Sequence, residues 1–420
     1  MSLDADRVRK YKKEKSLQIN GINYGRVIAS RAYEVNLKMT AREFLRMLTY
    51  QYKFKLIHKN QSQMLFAYSY RGKERPDYDN IIDSAYKYAR KGKIQSDFLD
   101  CVYSFSLLNF VNIFKMVYYW VKFGLAKVKK PLFVAILTAQ FTSIRKKIET
   151  IISKNNYKAC ITFCDAHGVE NLITQIANAH QIKTGTLQHG QYRILEYDVE
   201  NADVEGYENF ISNYLFSWGK VTQNEFSSIG INNDRVLLAG AIKSFSQNHI
   251  AERHEPLGVF GVVLCGNVYN ESNLGLIKIA NKIAKKYNLK YILRMHPKNE
   301  ENYYLKECDS QYLVKGIKSI ENYEYAKMID FSILHMTGVF VELLSINSPM
   351  FIFKDKYMVS LFELDGATFS DLVEFDSCYE KFCKHDKEFL KKQYNLYRNY
   401  NCTSDLECSY LKLYKEKLLK

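Results

Sequence analysis

The fold of this chain is indicated most clearly by the stretch YILRMHPK, residues 291–298. Its first residues are apolar and favour β structure, so they predict a buried strand that Pro297 ends. In an open α/β sheet, ligands bind at the carboxyl ends of the strands. Arg294, His296 and Lys298 fall at that end, and they offer an anion a planar fork, a titratable ring and a point charge. The stretch therefore predicts a phosphate site, with a strand end that is basic by composition alone as the alternative.

A second candidate anion site follows the strand predicted over residues 328–334. Thr337 and Gly338 form a turn that opens a helix at 339–344, and backbone N–H groups and the helix dipole converge at such a turn. Glu342 lies one turn into this helix on the side of Gly338, from where its carboxylate can accept hydrogen bonds from a ribose diol. The alternative is an ordinary capped helix with an exposed glutamate.

Two further strand ends belong to the clearest βαβ unit of the sequence, residues 159–187. Strands predicted at 159–163 and 183–187 flank a helix whose apolar residues recur with a helical period. The polar residues that follow the two strands are Asp165, His167, Gln188 and His189. Gly168 and Gly190 permit close backbone approach at these turns. We therefore predict a catalytic histidine here, with a purely structural histidine as the alternative.

The length and charge of the chain restrict the classes of function. At 420 residues it is too long for one ordinary core and predicts two or three domains. The formal net charge of +15 favours an anionic partner, which is a nucleic acid, an anionic membrane face or a phosphorylated substrate. No zinc-finger, RNP-type or helix-turn-helix signature is present, so a nucleic-acid partner is not expected. No GxGxxG or Walker loop follows a strand, and the DxD at residues 4–6 lies in a polar leader, so we expect neither a cofactor nor a metal.

The cysteine pattern and the apolar runs bear on localisation. The nine cysteines match neither CxxC nor zinc-ligand spacing, and no signal peptide is seen, which predicts reduced thiols in a cytoplasmic protein. No apolar run reaches the roughly 18–20 residues of a membrane span. Residues 103–141 are rich in aromatic and aliphatic side chains interspersed with lysines. They predict either an amphipathic contact with an anionic membrane surface, peripheral at the inner face of the cell membrane, or core helices whose lysines face solvent.

The predicted elements divide the chain into four segments. A helical N-terminal extension at 1–62 precedes a Rossmann-like acceptor domain at 63–245. A polar, aperiodic linker at 244–256 leads into a Rossmann-like nucleotide-donor domain at 256–376, and a helical tail follows at 377–420. Successive α/β halves with polar strand ends predict an α/β fold in which two Rossmann-like domains face each other across a cleft.

Three short motifs resemble a known architecture. LQHG at 187–190, RMHP at 294–297 and TGxxxE at 337–342 occur in the order found in the glycosyltransferase-B architecture. The chain is most similar to bacterial capsule and teichoic-acid enzymes, which include CDP-glycerol glycerophosphotransferases and capsular polysaccharide glycosyltransferases. The resemblance covers roughly residues 155–355 and leaves 1–62 and the tail outside it.

The resemblance implies roles for individual residues. In those relatives the His-Gly turn lies near the acceptor and is implicated as the base, which implies His189 here, with Asp165 and His167 as competitors. The His-Pro element and the later helix N-terminus hold the donor phosphates, so His296 is both a phosphate contact and a catalytic candidate. Together with Lys243 and Gly266 at two further strand ends, the donor-binding candidates are Arg294, Lys298, Thr337, Gly338 and, for the ribose, Glu342. The glycerophosphotransferases usually carry an Asp and paired Ser where this chain has HMTG at 335–338, which favours sugar transfer over polyol-phosphate transfer.

The predicted function is that of a metal-independent transferase in capsule polysaccharide biosynthesis. It would move a sugar, or a polyol-phosphate, from a UDP-, CDP- or CMP-linked donor to a saccharide or lipid-linked acceptor of a cell-surface polysaccharide. One alternative is a sugar-nucleotide 2-epimerase of the same architecture, whose motifs are only loosely matched by DAHG at 165–168 and by Glu342 with Leu343. The other is a non-catalytic protein that binds a nucleotide sugar.

Overall fold

Strands and helices alternate through both halves of the chain in a computed structural model. It describes residues 5–32, 35–57, 62–71, 76–106, 110–192, 206–242, 256–296, 299–314, 320–358, 363–384 and 386–420. The chain divides into unit 1, which is Met1–Lys243 together with Cys402–Lys420, and unit 2, which is Ser244–Asn401. Among the described residues, no helix combines the length and the apolar character that crossing a bilayer requires.

The sheet of unit 1 follows the order β3-β5-β4-β6-β7-β8-β9. Its strands are β3 (Tyr50–Ile57), β4 (Met64–Tyr68), β5 (Ser96–Phe105), β6 (Ala159–Thr162), β7 (Lys183–Leu187), β8 (Tyr214–Ser217) and β9 (Val236–Leu238). β3 pairs antiparallel with β5, and the other neighbours pair parallel. Every residue of β4 and β6 is buried, as expected for parallel strands covered on both faces. A short antiparallel pair, β1 (Gln18–Ile19) with β2 (Ile22–Asn23), lies outside this sheet.

Helices cover both faces of the unit 1 sheet. They are α1 (Ala5–Lys13), α2 (Tyr24–Val27), α3 (Leu37–Thr49), α4 (Pro76–Lys91), α5 (Phe110–Leu125), α6 (Pro131–Ser153), α7 (Gly168–Ala179), α8 (Lys220–Ser228) and α15 (Leu406–Leu413), followed by one π-helical turn (Tyr414–Leu418). One core cluster joins α1, α2, α5, α6 and α7 to the sheet. A second core cluster joins α4 and α15 to it. The carboxyl ends of the parallel strands are thus held in place from two sides.

Unit 2 is a second parallel α/β element, with strand order β11-β10-β12-β13-β14. Its strands are β10 (Val259–Val263), β11 (Lys290–Arg294), β12 (Ser332–Leu334), β13 (Met350–Phe353) and β14 (Thr368–Phe369). Its helices are α9 (Asn270–Tyr287), α10 (Glu301–Leu305), α11 (Asn322–Lys327), α12 (Val339–Ser345), α13 (Leu372–Lys384) and α14 (Asp386–Tyr400). Contacts among aromatic rings fill one side of the core, for example Phe351 with Phe375 at 5.3 Å between ring centroids.

The structure differs from the predicted boundaries at the N-terminus. The described part of the predicted extension, residues 1–62, belongs to unit 1. Val8 and Tyr24 are fully buried in its core, and β3 adds the antiparallel edge strand to its sheet. The apolar side chains of α1 and α2 are local features in the sequence, whereas the surface of α6 and α7 that they cover is formed 100 or more residues later. The extension is therefore part of the domain.

The C-terminal segment also differs from the prediction of one helical tail at 377–420. α13 and α14 belong to unit 2, and the chain then returns to unit 1. Tyr410 and Tyr414 are buried in unit 1, where their hydroxyl groups donate hydrogen bonds to the carbonyl oxygens of Gly240 (3.2 Å) and Ala85 (3.2 Å). The predicted linker at 244–256 lies outside the described residues except for Pro256. In sequence, unit 2 is an insertion into unit 1.

Candidate functional site

Three neighbouring strand ends form the candidate site of unit 2. β11, β10 and β12 are adjacent and parallel, so the segments that follow them leave the sheet at the same edge. Gly266 follows β10 and His296 follows β11. A methyl group on Gly266 would lie 3.7 Å from Nδ1 of His296, so this backbone and this ring are neighbours. We call Gly266, Arg294, His296, Thr337 and Gly338 the basic edge.

Arg294 is the half-buried cation of the basic edge. Its Nη1 donates a hydrogen bond to the Ile320 carbonyl at 2.8 Å, and its guanidinium lies 5.0 Å from the ring centroid of Tyr325. Burial lowers the pKa of Arg294, while the charges of Tyr325, Glu342 and Glu321 act in the opposite direction. The guanidinium is held by these contacts and feels the Glu342 carboxylate. The predicted phosphate and ribose ligands therefore belong to one electrostatic environment.

The turn after β12 supplies backbone donors to the same edge. Thr337 is nearly buried, and its Oγ1 accepts a hydrogen bond from the Val339 N–H at 3.4 Å. Gly338 is exposed and precedes α12, at whose start the Phe340 N–H also donates to the Thr337 carbonyl at 3.1 Å. The first N–H groups of a helix can bind phosphates, and a phosphate at this turn would replace their contacts with Thr337. The sequence predicts a strand at 328–334, whereas the observed strand β12 begins only at Ser332.

A buried His–Asp pair that the sequence did not predict holds this edge together. His335 is fully buried, with Nε2 2.8 Å from Oδ1 of Asp355 and Nδ1 3.8 Å from Sγ of Cys265. Burial alone would raise the pKa of Asp355, but hydrogen bonds, chiefly the one from His335, outweigh it and lower the pKa to about 2. Cys265 also donates to the Met336 carbonyl at 3.0 Å. The ends of β10, β12 and β13 are thereby linked through side chains.

The two predicted histidines of unit 1 come together at the ends of β6 and β7. The ring centroids of His167 and His189 are 6.4 Å apart. Aromatic rings enclose them: Tyr70 is 4.9 Å from His167, and Phe163, Tyr78 and Tyr192 are 4.8, 5.5 and 5.9 Å from His189. We call these six side chains the histidine cluster. Tyr70 and Tyr78 come from the end of β4 and from α4, which local sequence patterns did not connect with the site.

A cysteine beside the histidine cluster raises the question of a metal. The ligand atoms of Cys164, His167 and His189 lie within 4.8 Å of one another, and within the described ranges they are the one group of His, Cys, Asp or Glu side chains that could hold an ion. Three protein ligands and a water are the set of a catalytic zinc site, whereas a structural site has four. The sequence predicts no metal. Addition of a chelator is therefore part of the test of function given below.

The carboxylates closest in sequence to the histidine cluster are bound by backbone groups. Oδ2 of Asp165, a predicted competitor for the base, accepts hydrogen bonds from the N–H groups of Ile211 (3.0 Å) and Ser212 (2.7 Å). Burial raises the pKa of Asp165, and these hydrogen bonds lower it in part. The geometry fits a carboxylate that holds residues 211–212 in place. It leaves His189 and His167 as the better candidates for the base.

Glu170 is a second engaged carboxylate, and sequence reasoning missed it. It is fully buried, accepts from both the N–H (2.9 Å) and the Oγ (2.7 Å) of Ser69, and accepts from the Cys164 N–H at 2.6 Å. It therefore ties the end of β4 to the end of β6. Gln188 connects the segments after β7 and β8. Its Oε1 accepts from the Trp218 N–H at 2.7 Å, and its Nε2 donates to the Gly190 carbonyl at 2.9 Å.

The structure thus assembles the predicted residues in two groups. His167 and His189 lie together in unit 1, whereas the Asp165 carboxylate is bound to the backbone N–H groups of residues 211–212. Arg294, His296, Gly266, Thr337, Gly338 and Glu342 belong to neighbouring strand ends of unit 2. Lys243 and Lys298, two predicted donor-binding residues, lie outside the described residues.

Comparison with known proteins bears on the fold. No family model matches this chain, and no curated protein matches it in sequence. It is similar to the UDP-bound structure of S. aureus MnaA, with a TM-score of 0.52, 12% identity and coverage of 86% of this chain and 98% of that one. It is also similar to the Neisseria meningitidis UDP-GlcNAc 2-epimerase bound to UDP-GlcNAc, with a TM-score of 0.50, 12% identity and coverage of 85% and 99%. A glycosyltransferase from Rickettsia africae ESF-5 matches with a TM-score of 0.48, 12% identity and coverage of 86% and 100%.

At this level of identity the likeness concerns the fold alone. The predicted α/β class, with two Rossmann-like units and helices at the C-terminus, is confirmed, and the fold is similar to that of a UDP-GlcNAc 2-epimerase.

Proposed function

We propose that this protein is a transferase that moves a sugar from a nucleotide-activated donor to a hydroxyl group of a saccharide acceptor. The observation that carries the proposal is the basic edge, where three adjacent parallel strands end in Arg294, His296, Gly266 and the Thr337–Gly338 turn. This edge is the usual ligand position of such a sheet. The acceptor we propose is part of a cell-surface polysaccharide, in line with the resemblance to capsule enzymes.

The donor nucleotide is assigned to unit 2. Arg294, His296 and the N–H groups at the start of α12 are the candidates that bind the donor phosphates, with Lys298 as a further cation. Gly266 has no side chain, so the backbone next to the His296 ring can approach the phosphates closely. Glu342 is the candidate for the ribose hydroxyls, and its charge is felt by Arg294. The same residues suit a UDP, CDP or CMP leaving group.

The acceptor is assigned to unit 1, where the histidine cluster combines a proton acceptor with flat apolar surfaces. Rings such as Tyr70 and Tyr78 suit the C–H faces of a sugar. An uncharged imidazole can take a proton near neutral pH. Because Asp165 and Glu170 are already bound to backbone N–H groups, His189 is our candidate base and His167 its neighbour.

The reaction balances with these groups alone. The acceptor oxygen forms a bond to the anomeric carbon of the sugar, and the bond from that carbon to the phosphate oxygen breaks. The acceptor proton passes to His189. The electron pair stays on the nucleotide phosphate, where Arg294, His296 and the α12 N–H groups stabilise the negative charge.

A sugar-nucleotide 2-epimerase is the second candidate. The fold likeness to the Neisseria meningitidis UDP-GlcNAc 2-epimerase, whose structure contains UDP-GlcNAc, favours it. An epimerase needs a base that takes a proton from a sugar carbon. The engaged state of Asp165 and Glu170 leaves the histidines for that task as well. The two functions therefore share the nucleotide site and differ in the acceptor.

The test is incubation with UDP-, CDP- and CMP-linked sugars, with and without a saccharide acceptor, in the presence and absence of EDTA. We expect free nucleotide that forms only with acceptor and is insensitive to EDTA. A changed sugar still attached to its nucleotide would establish the epimerase instead. Heat stabilisation without turnover would establish a binding protein. Loss of transfer in EDTA, restored by zinc, would make Cys164, His167 and His189 metal ligands.

A further inference from the structure

Helix α5 of unit 1 has a buried face and an exposed face. One face consists of Asn112, Met116, Tyr119 and Phe123, which follow one another at helical spacing and are buried against α3 and α6. Asn112 fixes this face by donating a hydrogen bond to the Met47 carbonyl at 3.2 Å. The helix is therefore firmly attached to the core. Because these contacts fix the orientation of α5, they also determine which of its side chains face solvent.

The opposite face of α5 is apolar and exposed. Phe114 is 77% exposed and Leu125 80% exposed. Within the described residues, half of the large apolar side chains that are exposed lie between Phe105 and Leu125. The exposed members on α5 are Phe110, Val111, Phe114, Val117, Tyr118, Trp120, Val121 and Leu125. Most of them recur at intervals of three and four residues, so they form one continuous stripe, which we call the α5 face. A contiguous apolar patch of this kind marks a binding surface.

The charge around the α5 face has one sign. Between Asp100 and Glu149 the sequence contains eight Lys or Arg residues and no acidic residue. Lys127, Lys129 and Lys130 are exposed directly beyond the last residue of α5. Lys146 and Lys147 are exposed on α6, which packs beside α5. The occupant of the α5 face therefore combines an apolar interior with an anionic surface.

We propose that the α5 face binds the surface of an anionic lipid bilayer. Phe114, Val117, Val121 and Leu125 enter the boundary between headgroups and acyl chains, and the lysines after Leu125 bind lipid phosphates. An amphipathic helix with aromatic and aliphatic residues on one face and flanking lysines has the chemistry of an interfacial membrane contact. Since the buried face of α5 stays in the protein core, the helix lies along the bilayer.

Other occupants fit the charges and shapes less well. A second copy of this chain, paired about a two-fold axis, would bring the same basic surface against itself. A nucleic acid would suit the lysines and could stack on Phe114 or Trp120, but the aliphatic Val117, Val121 and Leu125 would gain no apolar partner from it. A lipid bilayer offers an apolar interior to the exposed side chains of α5 and anionic phosphates to the lysines. The proposal does not depend on the reaction proposed above, because its test measures binding and not turnover.

The test uses the full chain and vesicles of phosphatidylcholine, alone or mixed with phosphatidylglycerol. We expect co-sedimentation with the mixed vesicles, weakened by salt, and little with phosphatidylcholine alone. Tryptophan fluorescence gives a second readout. Of the two tryptophans, Trp218 is buried and its Nε1 donates to the Gln188 carbonyl at 3.0 Å, whereas Trp120 is 47% exposed on α5 itself. A blue shift on vesicle binding therefore reports Trp120.

Two variants separate the apolar and the charged contributions. Phe114→Ser with Val121→Ser should weaken vesicle binding at least about tenfold, because it removes apolar area from the inserted face. Val373→Ser is the matched control, since Val373 is 76% exposed in unit 2. Lys129→Glu should weaken binding to the mixed vesicles, with Lys282→Glu on α9 as its control for net charge.

Three results would overturn the proposal. One is the absence of binding to mixed vesicles at low salt by a folded protein. Another is binding that Phe114→Ser with Val121→Ser leaves unchanged. The third is a dimer, seen by light scattering without lipid, that the same variant dissociates.

Discussion

The carboxyl edges of the two sheets occupy the same topological position and present different chemistry. In unit 1, the residues after β6 and β7 bring His167 and His189 together among aromatic rings. In unit 2, the residues after β10, β11 and β12 bring together a guanidinium, glycines and a helix start. Parallel strands fix where a site lies, and the two or three residues after each strand decide what it binds.

The way the carboxylates are used sharpens this difference. Glu170 in unit 1 is occupied by three donors that join β4 to β6. Asp355 in unit 2 is occupied by His335 and by the Tyr357 N–H at 2.9 Å, and it joins β12 to β13. In both units these acids connect strand ends, so the candidate ligand-binding groups are the histidines of unit 1 and the cations of unit 2. The comparison predicts that proton transfer and anion binding can be damaged separately.

The largest effect is expected from His189→Ala. Removing the proposed base should lower kcat of transfer roughly 10²–10⁴-fold, while the affinity for UDP, CDP or CMP stays unchanged. Transfer rates and calorimetric nucleotide titrations measure the two quantities. His180→Ala is the matched control, because His180 is exposed at the end of α7. A full rate in the His189 variant would remove this residue from the mechanism.

His296→Ala tests anion binding at the basic edge of unit 2. Loss of a preorganised phosphate contact should lower the transfer rate roughly 10²–10³-fold and weaken nucleotide binding as well. The same two assays apply, with His189→Ala as the reference. A lower rate with unchanged nucleotide affinity would instead assign His296 a part in proton transfer.

A substitution in the sheet of unit 2 should destabilise that unit selectively. A methyl group on Gly261 would lie 2.1 Å from the Tyr325 hydroxyl and 2.9 Å from Cδ1 of Ile329. Gly261→Ala should therefore cost about 1–3 kcal/mol of unfolding free energy. Hydrogen exchange measured peptide by peptide should show faster exchange in β10 and β12 than in unit 1. Gly124→Ala is the control, since a methyl group there meets nothing within 4 Å.

The smallest effect concerns Asp355 and has a defined pH range. Its folded-state pKa of about 2 lies below the ordinary value, so the charged carboxylate stabilises the folded state at neutral pH. This contribution is lost as the pH falls from about 4 to about 2. Asp355→Asn should cost about 1–2 kcal/mol at pH 7 and less at pH 2, as measured by urea unfolding. An equal cost at both pH values would mean that the charge contributes nothing.

Local sequence patterns were sufficient for the elements that bear the site. The apolar run before Arg294 predicted a strand, and β11 ends at that residue. The βαβ unit at 159–187 was predicted with both strands and its helix, which the structure places at Ala159–Thr162, Gly168–Ala179 and Lys183–Leu187. These predictions depend on apolar periodicity within a few residues, which neighbouring residues alone determine.

The contacts that complete the two edges join residues far apart in sequence. Ser69 donates a hydrogen bond to Glu170, and Asp165 accepts hydrogen bonds from the backbone of residues 211–212. In the sequence, His335 marks only a departure from the motif of the enzymes that the chain resembles. Its burial beside Asp355 depends on β12 and β13 being neighbours, which no spacing in the sequence states. Pairings of this kind follow from the tertiary fold and not from any local pattern.

The return of residues 402–420 to unit 1 bears on the order in which the protein acquires its structure during synthesis. Tyr410, Tyr414 and Leu418 contribute to the unit 1 core, yet the ribosome makes them after the whole of unit 2. Unit 2 is contiguous, so it can fold while the chain is still being elongated. Unit 1, although it begins first, must wait for its last helix. The nascent chain therefore exposes the α4 side of the unit 1 sheet throughout translation of unit 2, and this surface is where we expect chaperones to bind.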